Sequence, residues 1–262
     1  MPTFKQIADE NTVLRGQVGS GLHGVTTGND DRDEMGVALE PPAYVIGNAK
    51  FEQYQWRTQP EGVRSGKGDL DLVIYSLRKW ARLAAQGNPT VLLLMYIPPQ
   101  EIVYINDVGR DIQAHPERFL SRDAAFRFGG YLQAQKERML GLRSQRTNRP
   151  ELIEQMGFDG KFAYHMVRLG IQGVELLTTG RITLPMPEPD RTWLLELRRG
   201  EHTKEEALDR ADDLLNQLNT LAKTADLPAK PDQGAINRWL TDTYTAWWES
   251  NGLIGARNEV AA

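Results

Sequence analysis

Residues 17–40 read QVGSGLHGVTTGNDDRDEMGVALE, and the fold turns on how this stretch is parsed. The apolar-leaning run Thr12 to Val18 predicts a strand that delivers its end into the Gly19-Ser20 turn. Gly24 closes a short turn. After a polar loop, Asp31 and Asp33 stand two residues apart and run into Met35, Val37 and Leu39. That alternation predicts a second strand, Asp33 to Leu39, halted by Pro41-Pro42. Residues i and i+2 of a strand point the same way, about 7 Å apart, so the two carboxylates share a face.

Backbone N–H groups at a turn that opens a helix favour phosphate, because the helix dipole is positive there. Gly19 and Gly21 leave room for close backbone approach, and Ser20 adds a hydroxyl donor. Two carboxylates beside such a turn can grip Mg²⁺ ions that also touch a triphosphate. Two metals roughly 3.5–4 Å apart activate an incoming hydroxyl and stabilise a departing pyrophosphate. The combination raises the expectation of nucleotidyl transfer. Taken singly, each part has a plainer reading: a Gly-Ser pair is an ordinary turn, and Asn29 to Glu34 is a solvated acidic loop.

A third carboxylate usually completes such a site. Asp69-Leu70-Asp71-Leu72-Val73 alternates at period two, which places both aspartates on one strand face. Either can be the third ligand, or both can cap the strand or the helix that follows. Asp71, flanked by Leu70 and Leu72, is the better candidate, since an acid inside a strand is costly without a partner.

Outward from this centre, residues 3–10 predict a short helix, and Tyr44 to Ile46 and Phe51 to Trp56 are candidate short strands. Gln59 to Gly68, rich in Gly, Pro and charge, reads as a loop. Leu77, Trp80, Ala81 and Ala84 follow helical spacing up to Gly87-Asn88-Pro89. Thr90 to Tyr96 is a continuous apolar run bounded by Pro98-Pro99 and predicts a buried strand. From about residue 110 the pattern turns helical, over 116–145, 150–180, 203–225 and 232–250, with Asp190 to Leu197 open between strand and helical turn. The expected organisation is a catalytic domain over 1–110 and a helical domain over 111–262, packed into one body.

Several stretches carry a family resemblance. Gly19-Ser20-x-x-x-Gly24, followed by Asp31-x-Asp33 and Gly36-Val37, resembles the DNA polymerase beta-type nucleotidyltransferase superfamily. Asp69 to Trp80 with Gly87-Asn88-Pro89, Lys161 to Gly170, Glu175 to Gly180 and Leu197 to Gly200 are similar to the predicted nucleotidyltransferases associated with RNA repair. The resemblance touches most of residues 13–200. It implies an α/β (α+β) fold, a mixed sheet flanked by helices with a helical C-terminal half. It implies an NTP donor, two Mg²⁺ ions (or Mn²⁺), and Asp31, Asp33 and Asp71 as the carboxylate triad. Gly19, Ser20 and Gly24 would then take the terminal phosphates. One departure is Gly21-Leu22-His23, where family members often carry Arg-Ala-Tyr.

Lys161, His165, Arg168, Gln172 and Glu175 recur at intervals that place them on one helix face. Alone this is a solvated stripe. The resemblance turns Lys161, His165 and Arg168 toward the nucleotide. His165 is not read as a metal ligand, because no second histidine stands at ligand spacing.

Composition narrows the partners. The chain has 262 residues, 40% of them hydrophobic, with a formal net charge of −4. No global field therefore attracts nucleic acid, and any such contact needs a local patch. Arg127, Lys136, Arg138, Arg143 and Arg146, with Phe128 and Tyr131 among them, are the candidate patch; an ordinary cationic helix is the alternative. Trp239, Trp247 and Trp248 read as core. There is no cysteine, which rules out a disulfide framework and thiolate metal sites. No signal-like segment and no membrane-length apolar run is apparent, so a cytoplasmic protein is expected. The expected acceptor is an RNA or tRNA 3′ end. Transfer to a protein or small-molecule hydroxyl, or a non-catalytic nucleotide-binding module, are the competing readings.

Overall fold

The computed structural model describes residues 1–28, 30–143 and 149–254. Thr3 opens the first helix, α1 (Phe4–Asn11), with a capping box: its hydroxyl accepts from the Gln6 N–H while the Gln6 side chain accepts from Thr3 N. The chain continues through β1 (Thr12–Val18), the short α2 (Gly19–His23), β2 (Arg32–Ala38), α3 (Pro42–Val45), β3 (Gln53–Arg57), β4 (Leu70–Ser76) and α4 (Leu77–Ala85). After α5 (Pro89–Leu92) come β5 (Ile102–Ile105) and α6 (Asp107–Ala114). The remainder is helical: α7 (Ala124–Met139), α8 (Pro150–Met156), α9 (Gly160–Thr179), α10 (Asp190–Arg199), α11 (Lys204–Thr224) and α12 (Gln233–Ser250).

The five strands form one mixed sheet in the order β3-β4-β2-β1-β5. Only β2 and β4 run parallel; the other neighbours are antiparallel. β2 lies centrally and is buried from Glu34 onward, as expected of a strand covered on both faces. On one face Met35 and Val37 join the main core beneath the helices. On the other, Leu72 and Ile74 of β4 pack with Ile7 and Ala8 of α1 and with Tyr44 and Phe51. This is the mixed sheet flanked by helices that the nucleotidyltransferase resemblance implies.

The apolar run Thr90 to Tyr96 is not a strand. It forms α5 followed by a tight 3-10 turn, Leu93–Tyr96. Asn88 causes this: its side chain accepts from the N–H groups of Thr90 and Val91, and Pro89 fits the first helical turn. Val91 to Met95 are all buried, so the run is apolar on every side for a helical reason rather than an extended one. Tyr44 and Val45 likewise fall in the short helix α3, which begins at Pro42. Asp190 to Leu197 belongs to a full helix, α10.

The main core runs from Val13 on β1 to Trp248 on α12, with members on both sides of residue 110. Trp248 is buried, while Trp239 and Trp247 are half-buried against that core. α12 returns to the far end of β2. There Tyr244 donates its hydroxyl to the buried Glu40 carboxylate, and Trp248 Nε1 donates to the Glu40 carbonyl at 2.9 Å. Among the described residues no helix is long and apolar enough to cross a membrane.

Candidate active site

Register brings the acidic residues together. β2 and β4 are parallel neighbours with Asp33 opposite Asp71, and Val18, the last residue of β1, lies opposite Asp33 on the other side. Asp31 precedes β2 by one residue and reaches the same place. One carboxylate oxygen from each of Asp31, Asp33 and Asp71 lies within 4.8 Å of the others, and all three residues are half-buried. Asp69 stays outside this group. Its carboxylate accepts from Gly66 N at 2.9 Å and Gln59 Nε2 at 2.8 Å, which closes the loop before β4.

Three carboxylates at this spacing repel one another. Burial first, then the charges of Asp31 and Asp71, push Asp33 up to about 6, with Lys161 opposing them. An oxygen-only donor set of this kind suits a hard divalent cation, which would supply the missing positive charge.

Gly19 is shaped by the same crowding. Its φ is +73°, and a Cβ built on it would stand 2.1 Å from Asp33 Oδ2. A side chain is therefore excluded by both backbone and space. Ser20, on the first turn of α2, bonds to Asp30. Gly24 ends α2 in the left-handed region, with its N–H donating to Gly21 O.

Asp30 is an anchor rather than a member of the triad. Burial alone would raise its pKa, but Arg198 and the Thr27 N–H, with Ser20, hold it down to about 2. Arg198 Nη2 meets Asp30 Oδ1 at 2.7 Å, and its Nη1 donates to the Val25 carbonyl. α10 thereby fixes the loop that enters β2.

The stripe on α9 faces inward. Asp159 caps the helix by accepting from Lys161 N and Phe162 N. His165 is driven well below the usual imidazole range, by burial and then by the charges of Arg168, Lys161, Arg198 and Arg149. Arg168 Nη1 donates to His23 Nε2 at 3.0 Å and to Gln172 Oε1 at 2.7 Å, while its Nε is buried with no hydrogen-bond partner among the described residues. No carboxylate of the described residues lies within ion-pair distance of Lys161 or Arg168. The Tyr164 hydroxyl, also buried without a hydrogen-bond partner among the described residues, feels the charges of Arg168, Arg198, Asp30 and Asp33. His23, where the chain departs from the usual pattern, is buried and ties α2 to α9 through Arg168 and Gln172.

Asp71 has partners of its own. Arg57, opposite it on β3, places Nε 3.0 Å from Asp71 Oδ1. Arg57 Nη2 also donates to Ser65 Oγ at 2.8 Å and to the Val63 carbonyl at 3.3 Å, and Ser65 Oγ donates to both Asp71 oxygens at 3.2 and 3.3 Å. The same loop reaches α8 through Arg64 and Glu151 at 2.6 Å. Arg57, Ser65, Asp30, Arg198 and Tyr164 were not singled out by the sequence reading. Only the register of β3 against β4 reveals Arg57.

The residues of the cationic stretch differ in their partners. Arg127 lies exposed on α7 and donates to Gln86 Oε1 at 3.3 Å. Lys136 faces α11, where it pairs with Asp212, and Arg143 Nη1 lies 3.5 Å from Glu137. Arg138 is half-buried near the end of α7. Arg146 lies outside the described residues.

Comparison with known proteins places these features in context. A family described as "RlaP: RNA repair pathway DNA polymerase beta family" matches residues 1–242. A 38.9 kDa uncharacterized protein of the nrdC-mobD intergenic region of Enterobacteria phage T4 is 34% identical over 112 residues. That match covers 41% of this chain and 33% of the phage protein, so it spans about a third of the relative's length. Among solved structures, a nucleotidyltransferase-like protein from Exiguobacterium sibiricum aligns over 98% of this chain and 93% of its own, at 12% identity and a TM-score of 0.30. A spectinomycin adenyltransferase from Enterococcus faecialis, solved with ATP and spectinomycin, aligns over 82% of this chain and 96% of its own, at 16% identity and a TM-score of 0.40.

Proposed function

The chain belongs to the RNA repair pathway DNA polymerase beta family and is a nucleotidyltransferase; from that premise we propose that it transfers NMP from an NTP to a hydroxyl of RNA, at a 3′ end. The observation that carries the reading is the Asp31, Asp33 and Asp71 cluster directly beside the Gly19-Ser20 turn. In the reaction, the acceptor oxygen forms a bond to the α-phosphorus while the bond to the β-phosphate oxygen breaks. Pyrophosphate leaves with the electron pair, and the hydroxyl proton passes to a carboxylate or to solvent.

Asp31, Asp33 and Asp71 would hold Mg²⁺, or Mn²⁺ in its place. When bound, the metal neutralises the phosphates and favours the ionised acceptor hydroxyl. The chain's own residues do the rest. Gly19 leaves the space through which the triphosphate approaches Asp33, with Ser20 and the turn closed by Gly24 beside it. Lys161 and Arg168 supply charge with no carboxylate of the described residues in ion-pair contact, which suits the phosphates. His165, kept neutral by burial and its cationic neighbours, offers hydrogen bonds without adding charge. Asp71, on the β3 side, is nearest the open edge and is the residue best placed to receive the acceptor.

The test is incubation with each labelled NTP, Mg²⁺ and an RNA pool, followed by analysis of label in RNA and release of pyrophosphate. Label should enter RNA and vanish in an Asp31→Ala/Asp33→Ala variant. Equal labelling by that variant would refute the site. Label that survives nuclease treatment but not protease treatment would move the acceptor to protein.

A further inference from the structure

The sheet is not covered evenly on the face that carries Asp71. On β2, Met35 and Val37 of that face are fully sealed by the helices. On β3 and β4 three cross-strand pairs share the face: Arg57 with Asp71, Gln55 with Val73, and Gln53 with Tyr75. Gln55 is exposed, and Val73, Gln53 and Tyr75 are only half-buried. A polar floor two strands wide thus leads away from the third carboxylate.

The floor continues onto α4, and the residues that follow α4 meet α7. Lys79 of α4 donates to Gln53 Oε1 at 2.8 Å and stands 5.7 Å from the Tyr75 ring centre. Farther along, Tyr131 of α7 is exposed. Asn88 donates to the Tyr131 hydroxyl at 3.0 Å, and Arg127 bonds to Gln86 one turn away. Beyond them Phe126, 67% exposed, shares a 340 Å³ cavity with Arg127 and Lys230.

The charge on this strip is unbalanced. Lys79 and Arg82 share one acid, Glu52, at 3.6 and 3.3 Å. Arg127 and Lys230 add two more cations, against Asp123. In a chain of net charge −4, a cationic strip interleaved with exposed aromatic rings is a local exception. Exposed rings accept unstacked bases, and flanking cations track phosphates; a duplex would present neither free base faces nor so narrow a path.

We propose that single-stranded RNA reaches the carboxylates along this strip, its 3′ end at Asp71, bases against Tyr75 and Tyr131, phosphates on Lys79, Arg82 and Arg127. The proposal rests on the nucleotidyl-transfer reading and extends it from a reacting hydroxyl to a bound strand. The other side of the site, with Lys161 and Arg168 on α9, is left to the NTP.

The experiment measures binding of a short 5′-fluorescent single-stranded RNA to the full chain by anisotropy over a range of salt, with NTP binding measured in parallel. Lys79→Gln is expected to weaken RNA severalfold and to lower the slope of log affinity against log salt by about 0.7, one phosphate contact on a single strand. Tyr131→Ala is expected to weaken RNA about tenfold, as loss of a stacking ring does. The exposed charge change Gln55→Glu tests the floor without touching the core and should also weaken RNA. NTP affinity stays unchanged in all three. RNA binding that is insensitive to all three variants overturns the strip, as does wild-type protein that binds no RNA yet labels protein. RNA binding that follows the variants, with no transfer to any acceptor, would sink the transfer reading and leave the strip standing.

Discussion

Replacing Asp33 by asparagine should make the metal-free protein more stable while abolishing its chemistry. Asp33 sits between Asp31 and Asp71, and its pKa rises from 3.8 to about 6. A tenfold change in proton affinity is worth about 1.4 kcal/mol, so ionised Asp33 destabilises the fold by about 3 kcal/mol. The sign follows from linkage. Because the folded value is the higher one, the folded chain binds the proton more tightly. The advantage is complete below 3.8 and lost as pH rises through about 6. Asn carries no charge at any pH and escapes that loss. Solvent reaching the half-buried carboxylate trims the gain to about 1–3 kcal/mol at neutral pH. At about 2–4 °C per kcal/mol for a chain of this size, the melting temperature should rise by about 5 °C. Thermal unfolding in EDTA, followed by circular dichroism at neutral and acidic pH, measures it. The gain should shrink toward zero as the pH is lowered to the unfolded value. Added Mg²⁺ should stabilise the wild type and not Asp33→Asn. A variant no more stable than wild type at neutral pH, or an advantage of equal size in acid, would refute the picture of crowded carboxylates awaiting a cation.

Further expectations concern the surroundings of that cluster. Gly19→Ala places a Cβ against Asp33 Oδ2 in a left-handed backbone, at a cost of about 1–2 kcal/mol for the backbone alone; NMP transfer should fall at least about a hundredfold, measured by pyrophosphate release. Arg198→Ala leaves the Asp30 carboxylate without its partner and should cost about 3 kcal/mol in urea unfolding. Since Asp30 is held below its ordinary value, the wild type's margin over that variant should persist above 3.8 and disappear as pH falls toward about 2. Arg57→Ala removes a cation that competes for Asp71, so the Mg²⁺ concentration giving half-maximal NTP-dependent stabilisation should drop by about threefold to tenfold.

Much of the site was legible because its parts are local. Gly19-Ser20 and Asp31-x-Asp33 lie within one short stretch, and period-two alternation alone puts paired acids on one strand face. Asp71 reaches Asp31 and Asp33 only because β4 lies next to β2, a pairing that no linear pattern states, while Asp69 stays outside the cluster. The helical half was readable from its period, and capping residues such as Asp159 and Thr203 mark the starts of α9 and α11. What failed were elements governed by a single side chain. Asn88 turns an apolar run that reads as a strand into helical turns, and Asn106 caps α6 by accepting from Gly109 N. Four-residue β5 is too short to carry a period. Arg57 and Ser65 could not be found at all, because nothing in a linear pattern states which strand pairs with β4 or how the intervening loop folds back.

The clasp between α12 and Glu40 makes assembly of the molecule depend on distant sequence. Glu40 directly follows the strand that bears Asp33, yet its buried acid is met by Tyr244, some two hundred positions downstream. A fragment stopping near residue 110 would keep Asp31, Asp33 and Asp71 but lose the Tyr244 hydroxyl and the Trp248 indole from Glu40, leaving the Leu77 N–H to its carboxylate. During synthesis, the end of the strand that bears Asp33 cannot make its contacts with α12 until almost all of the described chain has left the ribosome.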